Sequence, residues 1–142
     1  MKIVPFSKEH IAEVIFKELP DTKEARDLVA SNAEKSISFT VLDNQDRVLC
    51  ITGLCQIWGS VYEIWAFTTP LFYKSLKVIV VAFNQLYSQM ENIPYQRIQA
   101  DVRADLSQNL SFIKHFGFKE EAVFQNYGLN GETYIRFVKF GD

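Results

Sequence analysis

A chain of 142 residues holds one hydrophobic core and is too short for two. Apolar residues make up 48% and charged residues 23%, which excludes a disordered or fibrous class. The formal net charge is −2 and no basic run stands out, so no nucleic-acid partner is expected. The longest apolar run, "VIVVAF", is too short to span a bilayer. The start "MKIVPFSKEH" lacks the apolar stretch of a secretory signal, which points to a cytoplasmic protein without a membrane partner. Aromatics reach 14%, twelve of them Phe, so rings rather than aliphatic layers should fill the core.

In chain order, "KIVPF" is short, β-branched and stopped by Pro5, which predicts an edge strand. Ser7 is placed to cap a helix running to about Lys17, with Ile11, Val14 and Ile15 on one face. Pro20-Asp21 breaks the chain, and Asp21 is placed to cap a second helix carrying Ala25, Leu28, Val29 and Ala33. The stretch "SISFTVLDNQDRVLCITGLCQIWGSVYEIWAFTT" has turn clusters at "DNQD" and "WGS", which predicts a three-strand antiparallel meander. Gly53 in mid-strand suggests a bulge or a close backbone approach.

From Lys74 the period changes. Leu76, Ile79, Val80, Phe83, Leu86, Tyr87 and Met90 step by three and four, predicting one long helix. The strand "RIQADV" follows, and strand-helix-strand implies that it runs parallel to "VYEIWAFT". A further helix is predicted over 107–115, stopped by Gly117, and Asn130-Gly131 should close a final hairpin. The element order is thus β, α, α, β, β, β, α, β, α, β, β. It describes an α/β (α+β) chain, residues 1–142 as a single domain, with a mixed, mostly antiparallel sheet of about seven strands and about four helices on its faces.

Cys50 and Cys55 fall five apart on one predicted strand, so they face opposite ways and suit neither a disulfide nor, without matching His residues, a zinc site. No metal is expected. His115 offers a general base, but in a last helical turn it reads rather as a complement to the helix dipole, and His10 carries no functional signal.

The element order, the ending "FIKHFGFKEEAVF" and the fourth strand "VYEIWAFTTP" resemble the GNAT superfamily of acetyl-coenzyme A-dependent N-acetyltransferases. That resemblance implies transfer of an acetyl group to an amine, on a small molecule or a protein, by direct attack on the thioester. It implies that acetyl-CoA lies between the parallel strands. The main chain of Phe67, Thr68 and Thr69 would then hold the pantetheine arm, and the N–H groups around Lys74, Ser75 and Leu76 the pyrophosphate. It further places a base at Glu63, between Tyr62 and Ile64 and flanked by Trp58 and Trp65; the open alternatives for Glu63 are a solvent-facing position or a pair with Arg47 or Lys35. Two departures stand out. The superfamily's R/Q-x-x-G-x-G/A loop corresponds here to "PLFYKSLKVIVV", which has no glycine, and the slot of its acidic Tyr, four residues before Gly-Phe, holds Ile113. Tyr127 and Tyr134 are the remaining candidates for that acid. A narrower resemblance, through "FYKSLKVIVVAFNQLY" and "GLNGETYIRF", is to the small GNAT-like internal virion and assembly proteins of short-tailed bacteriophages. It implies the alternative of a non-catalytic assembly or interaction protein, located in a virion or host cytoplasm. Oligomeric state is left open.

Overall fold

The computed structural model describes residues 1–12 and 14–141, without the side chains of residues 75–76, 78–79, 82 and 89–91. Seven strands, β1 (Lys2–Pro5), β2 (Ile37–Leu42), β3 (Val48–Trp58), β4 (Val61–Thr68), β5 (Arg97–Arg103), β6 (Lys119–Phe124) and β7 (Tyr134–Phe140), form a mixed sheet in the order β1-β2-β3-β4-β5-β7-β6. Among the described residues three α-helices accompany it: α1 (Lys23–Glu34), α2 (Leu76–Glu91) and α3 (Ser107–His115). The β4/β5 pair is parallel, and β1/β2, β2/β3, β5/β7 and β6/β7 are antiparallel. This is the expected α+β class with one helix fewer. The chain forms two compact units, Met1–Cys55 with Ala66–Pro94, and Gln56–Trp65 with Tyr95–Asp142.

In the first unit, the helix expected over 7–17 is reduced to a 3-10 turn, Lys8–Ile11. Its β-branched Ile11, Val14 and Ile15 are weak helix formers, and Glu13 lies outside the described residues. Ile11 is buried but Ile15 is 55% exposed, so the predicted apolar face does not form. Phe16, Glu18 and Leu19, further along, are all buried, and burying them draws the chain into an irregular path. His10 holds the turn: its Nδ1 accepts the Ser7 N–H at 3.0 Å, so the buried Thr40 hydroxyl, 2.7 Å away, must donate to the same nitrogen. The next helix is capped by Thr22, whose Oγ1 accepts the Ala25 N–H at 3.2 Å, and not by Asp21. Asp21 instead pairs with Arg26 at 2.5 Å. Ala25, Val29 and Ala33 form the buried stripe of α1, and Leu28 is partly exposed.

The bulge in the meander is not at Gly53, which pairs regularly with Ser38. Val41 pairs with Cys50 and Leu42 with Val48, which leaves Leu49 as the extra residue. After β4, a 3-10 turn, Phe72–Ser75, leads into α2, whose described stripe of Phe83, Leu86 and Tyr87 is buried.

In the second unit, β5 lies between β4 and β7. Residues 61–63 of β4 face 97–99 of β5, and all seven residues of β5 face β7. Helix α3 stops where expected: Gly117 has φ +85° and its N–H bonds to the Lys114 carbonyl at 3.0 Å. The final hairpin closes through a longer loop than the Asn130-Gly131 pair alone predicts. The Gly131 N–H reaches the Gly128 carbonyl at 3.0 Å, so Leu129 and Asn130 are the central turn residues and Gly131, at φ +81°, follows them. In β6, Glu120 pairs with Phe137 and Ala122 with Arg136, so Glu121 is bulged out of register.

Candidate functional site

The two groups of residues expected to carry chemistry fall in different units. In the first unit, the end of β4 is held on two sides. Thr69 donates its N–H to the Leu49 carbonyl at 3.0 Å and its hydroxyl to the Val48 carbonyl at 2.8 Å. The bulge at Leu49 thus aims two β3 carbonyls at one threonine. Thr68 turns to the segment before α1. Its carbonyl accepts the Lys17 N–H at 2.8 Å, its N–H donates to Glu18 Oε1 at 2.5 Å, and its hydroxyl donates to Glu18 Oε2. Glu18 is 6% exposed, so these bonds are made out of water. Around them, the Phe16 ring lies 6.0 Å from that of Phe67, and the Lys17 ammonium stands 4.0 Å from the centre of the Tyr73 ring.

Of the residues expected to hold a coenzyme, Thr68 and Thr69 are buried and Phe67 is half-buried. Lys74 is exposed within the 3-10 turn, and the side chains of Ser75 and Leu76 lie outside the described residues. The arm does not fit on Thr68 as the segment stands, because both main-chain polar groups of that residue already have partners. Glu18, which takes the Thr68 N–H and its hydroxyl, carries no sequence signal. It stands two residues before Pro20, just past the end of the helix expected to about Lys17.

In the second unit, Glu63 projects from β4 opposite Gln99 of β5. Alternation along β5 puts Arg97, Asp101 and Arg103 on the same face as Gln99, and Asp101 faces Arg136 across the β5/β7 pair. Arg136 grips both oxygens of Asp101, Nε at 2.8 Å and Nη2 at 3.0 Å, and the Tyr127 hydroxyl adds a third bond at 3.1 Å. The Asp101 side chain is 9% exposed and that of Arg136 24%. Phe124, Tyr127 and Tyr134 stack beside this pair, with ring centres 5.1 and 5.4 Å apart, and the Arg136 guanidinium lies 4.9 Å from the Phe124 ring.

Every arginine of this face has a carboxylate. Arg97 holds Glu121 at 2.8 Å, which is what the β6 bulge supplies, and Arg103 holds Asp105 at 2.7 Å. Glu63 makes no hydrogen bond and no ion pair among the described residues. Arg47, one of the partners considered for it, is paired with Asp43 at 2.8 Å. Burial first, and then the charge of Asp101, hold the Glu63 carboxyl above the usual carboxylate range, while Arg136 pulls the other way. Trp58, one of the two flanking tryptophans, is 70% exposed and adds little to that burial. Burial and Asp101 likewise push the Tyr127 phenol up.

Neither cysteine is in a disulfide. Burial pushes the Cys50 thiol far up, so it packs as a hydrophobe. Among the described residues no group of three His, Cys, Asp or Glu could hold a metal ion, and no helix is long and apolar enough to cross a membrane.

No protein-family model and no curated protein matches the sequence. Solved structures match over nearly the full chain at low identity. A GNAT family acetyltransferase from Elizabethkingia anophelis with acetyl-CoA bound has a TM-score of 0.70 at 11% identity, covering 99% of this chain and 97% of that one. An alanine N-acetyltransferase of a ribosomal protein, from Escherichia coli, has a TM-score of 0.72 at 15% identity, covering 96% and 91%. A spermidine N-acetyltransferase from Vibrio cholerae has a TM-score of 0.67 at 12% identity, covering 99% and 95%. The chain therefore has the GNAT acetyltransferase fold. The narrower likeness to virion assembly proteins finds no support in these structures.

Proposed function

We propose that this chain is an acetyl-CoA-dependent N-acetyltransferase in which Glu63 takes the proton of the acceptor amine. The observation that carries this reading is the unmatched Glu63 carboxylate, half-buried on a face where each arginine is already neutralised. Such a group attracts an external ammonium ion and, with its raised proton affinity, can deprotonate it directly or through water. A free amine is the nucleophile that the reaction needs, and acetyl-CoA would supply the activated carbonyl. The fold adds its own support, since a solved structure of the same fold has acetyl-CoA bound. On this reading the arm runs along β4 at Phe67, Thr68 and Thr69, and the pyrophosphate meets the amides around Lys74, Ser75 and Leu76. The acceptor is an amine, on a small molecule as in the spermidine enzyme or on a protein as in the ribosomal-protein enzyme.

A thermal-shift titration of the full chain with acetyl-CoA tests it. Ligand at about a hundred times its dissociation constant adds about 2.7 kcal/mol to stability, which is a shift of several degrees for a chain of this size. No shift at millimolar acetyl-CoA would sink the proposal and leave the non-catalytic interaction protein as the reading.

A further inference from the structure

Three features have no role in the proposed chemistry so far: the exposed apolar residues Ile37, Trp58 and Phe140, the buried Tyr73 hydroxyl, and the hold of Lys17 and Glu18 on Thr68. The third has the most behind it. A strand edge takes an added chain by offering an N–H and a carbonyl to it. At Thr68 both are already used by this chain's own segment, the carbonyl by the Lys17 N–H and the N–H by Glu18. The segment is anchored on either side by Phe16 and Leu19, both buried, and by the Lys17 ammonium on Tyr73. Glu18 takes the Thr68 hydroxyl proton as well, so both donors of Thr68 are committed within the chain.

We propose that residues 16–19 are an internal occupant of the β4 edge, and that acetyl-CoA binds only when Lys17 and Glu18 release Thr68. This rests on the coenzyme reading given above and adds a gate to it. An amide-bearing arm presents a carbonyl and an N–H in the manner of a peptide, so it replaces Glu18 as acceptor and Lys17 as donor one for one. The gate explains how a chain with the GNAT fold closes the groups that the arm requires. Affinity is then reduced by the fraction of molecules in which the segment is closed. An amide at position 18 keeps the shape and weakens the closed state, because its NH2 group cannot accept and one of the two Thr68 donors loses its acceptor.

The test uses the full chain and acetyl-CoA. Amide hydrogen exchange is followed by NMR at Lys17 and Thr68, and the dissociation constant is measured for the native chain and for Glu18→Gln. The expected result is that saturating acetyl-CoA speeds exchange at Lys17 by about tenfold or more while Thr68 stays slow, its N–H having passed to the ligand. Glu18→Gln should bind about tenfold more tightly than the native chain. If that variant does not fold, the exchange measurement on the native chain decides alone. Binding that leaves Lys17 and Thr68 exchanging as in the free protein would overturn the gate and leave the coenzyme reading standing. No binding to either protein at millimolar acetyl-CoA would overturn both.

Discussion

Replacing Arg136 by methionine keeps most of the side chain's length and removes its charge. Two short bonds, at 2.8 and 3.0 Å, are lost from an Asp101 carboxylate that is only 9% exposed, and the Tyr127 hydroxyl at 3.1 Å is the bond that remains. Breaking a fully buried pair costs about 3–5 kcal/mol, because the surviving charge is stranded. Here the guanidinium is 24% exposed, so water reaches the site and a loss of about 2–3 kcal/mol is expected. Urea unfolding should show a lower midpoint with an unchanged slope. Adding Asp101→Asn removes the stranded charge, and the double variant should be about 1 kcal/mol or more better than the sum of the two single variants. A cost for Arg136→Met below about 0.5 kcal/mol, or strict additivity in the double variant, would refute a desolvated pair at the centre of this face.

The carboxyl of Glu63 is held above its ordinary range in the fold, so the native state binds that proton more tightly than the unfolded chain. Its contribution to stability is present in acid and is lost as pH rises through the folded value. Glu63→Gln should therefore melt at or above the native temperature at neutral pH, with the difference closing at pH values below the ordinary carboxylate range; a lower melting temperature at neutral pH would contradict the assignment. Gly117→Ala has room, its nearest neighbour being Lys139 Nζ at 3.8 Å, but forces an L-residue to φ +85°. A loss of about 1 kcal/mol in chemical denaturation is expected, and a neutral effect would mean that the helix end relaxes. Cys50, fully buried with its thiol pushed up, should resist a thiol reagent in the native protein while the half-buried Cys55 reacts; peptide mapping after labelling reads this directly.

How much was legible in the sequence varied with the range of the interaction that decides it. The α3 helix, its Gly117 stop and the parallel β4/β5 pair follow from local period and turn chemistry, and they appear as expected. The first predicted helix fails because Phe16, Glu18 and Leu19 are buried by contacts remote in sequence, which outweigh a weak helical period. The cap of α1 moves by one residue, from Asp21 to Thr22, because Arg26 engages the aspartate. In the candidate site, Glu63 was visible as an acidic residue among apolar ones. Asp101 and Arg136 were not, since their pairing depends on the β5/β7 register, 35 residues apart. That register brings Tyr127, one of two candidate acids, onto Asp101. Glu18 could not be found at all from spacing, because its meaning is its bond to Thr68, 50 residues away.

The account turns on one claim, that Glu63 removes a proton from an amine about to receive an acetyl group. Release of free coenzyme A from acetyl-CoA should be followed by chromatography across a panel of small amines and peptide N-termini, for the native chain and for Glu63→Gln. The account predicts amine-dependent release by the native chain, and for the variant a fall in kcat/KM of about a hundredfold or more with the affinity for acetyl-CoA unchanged. A variant that turns over as fast as the native chain, or a native chain that releases no coenzyme A with any amine, would contradict it.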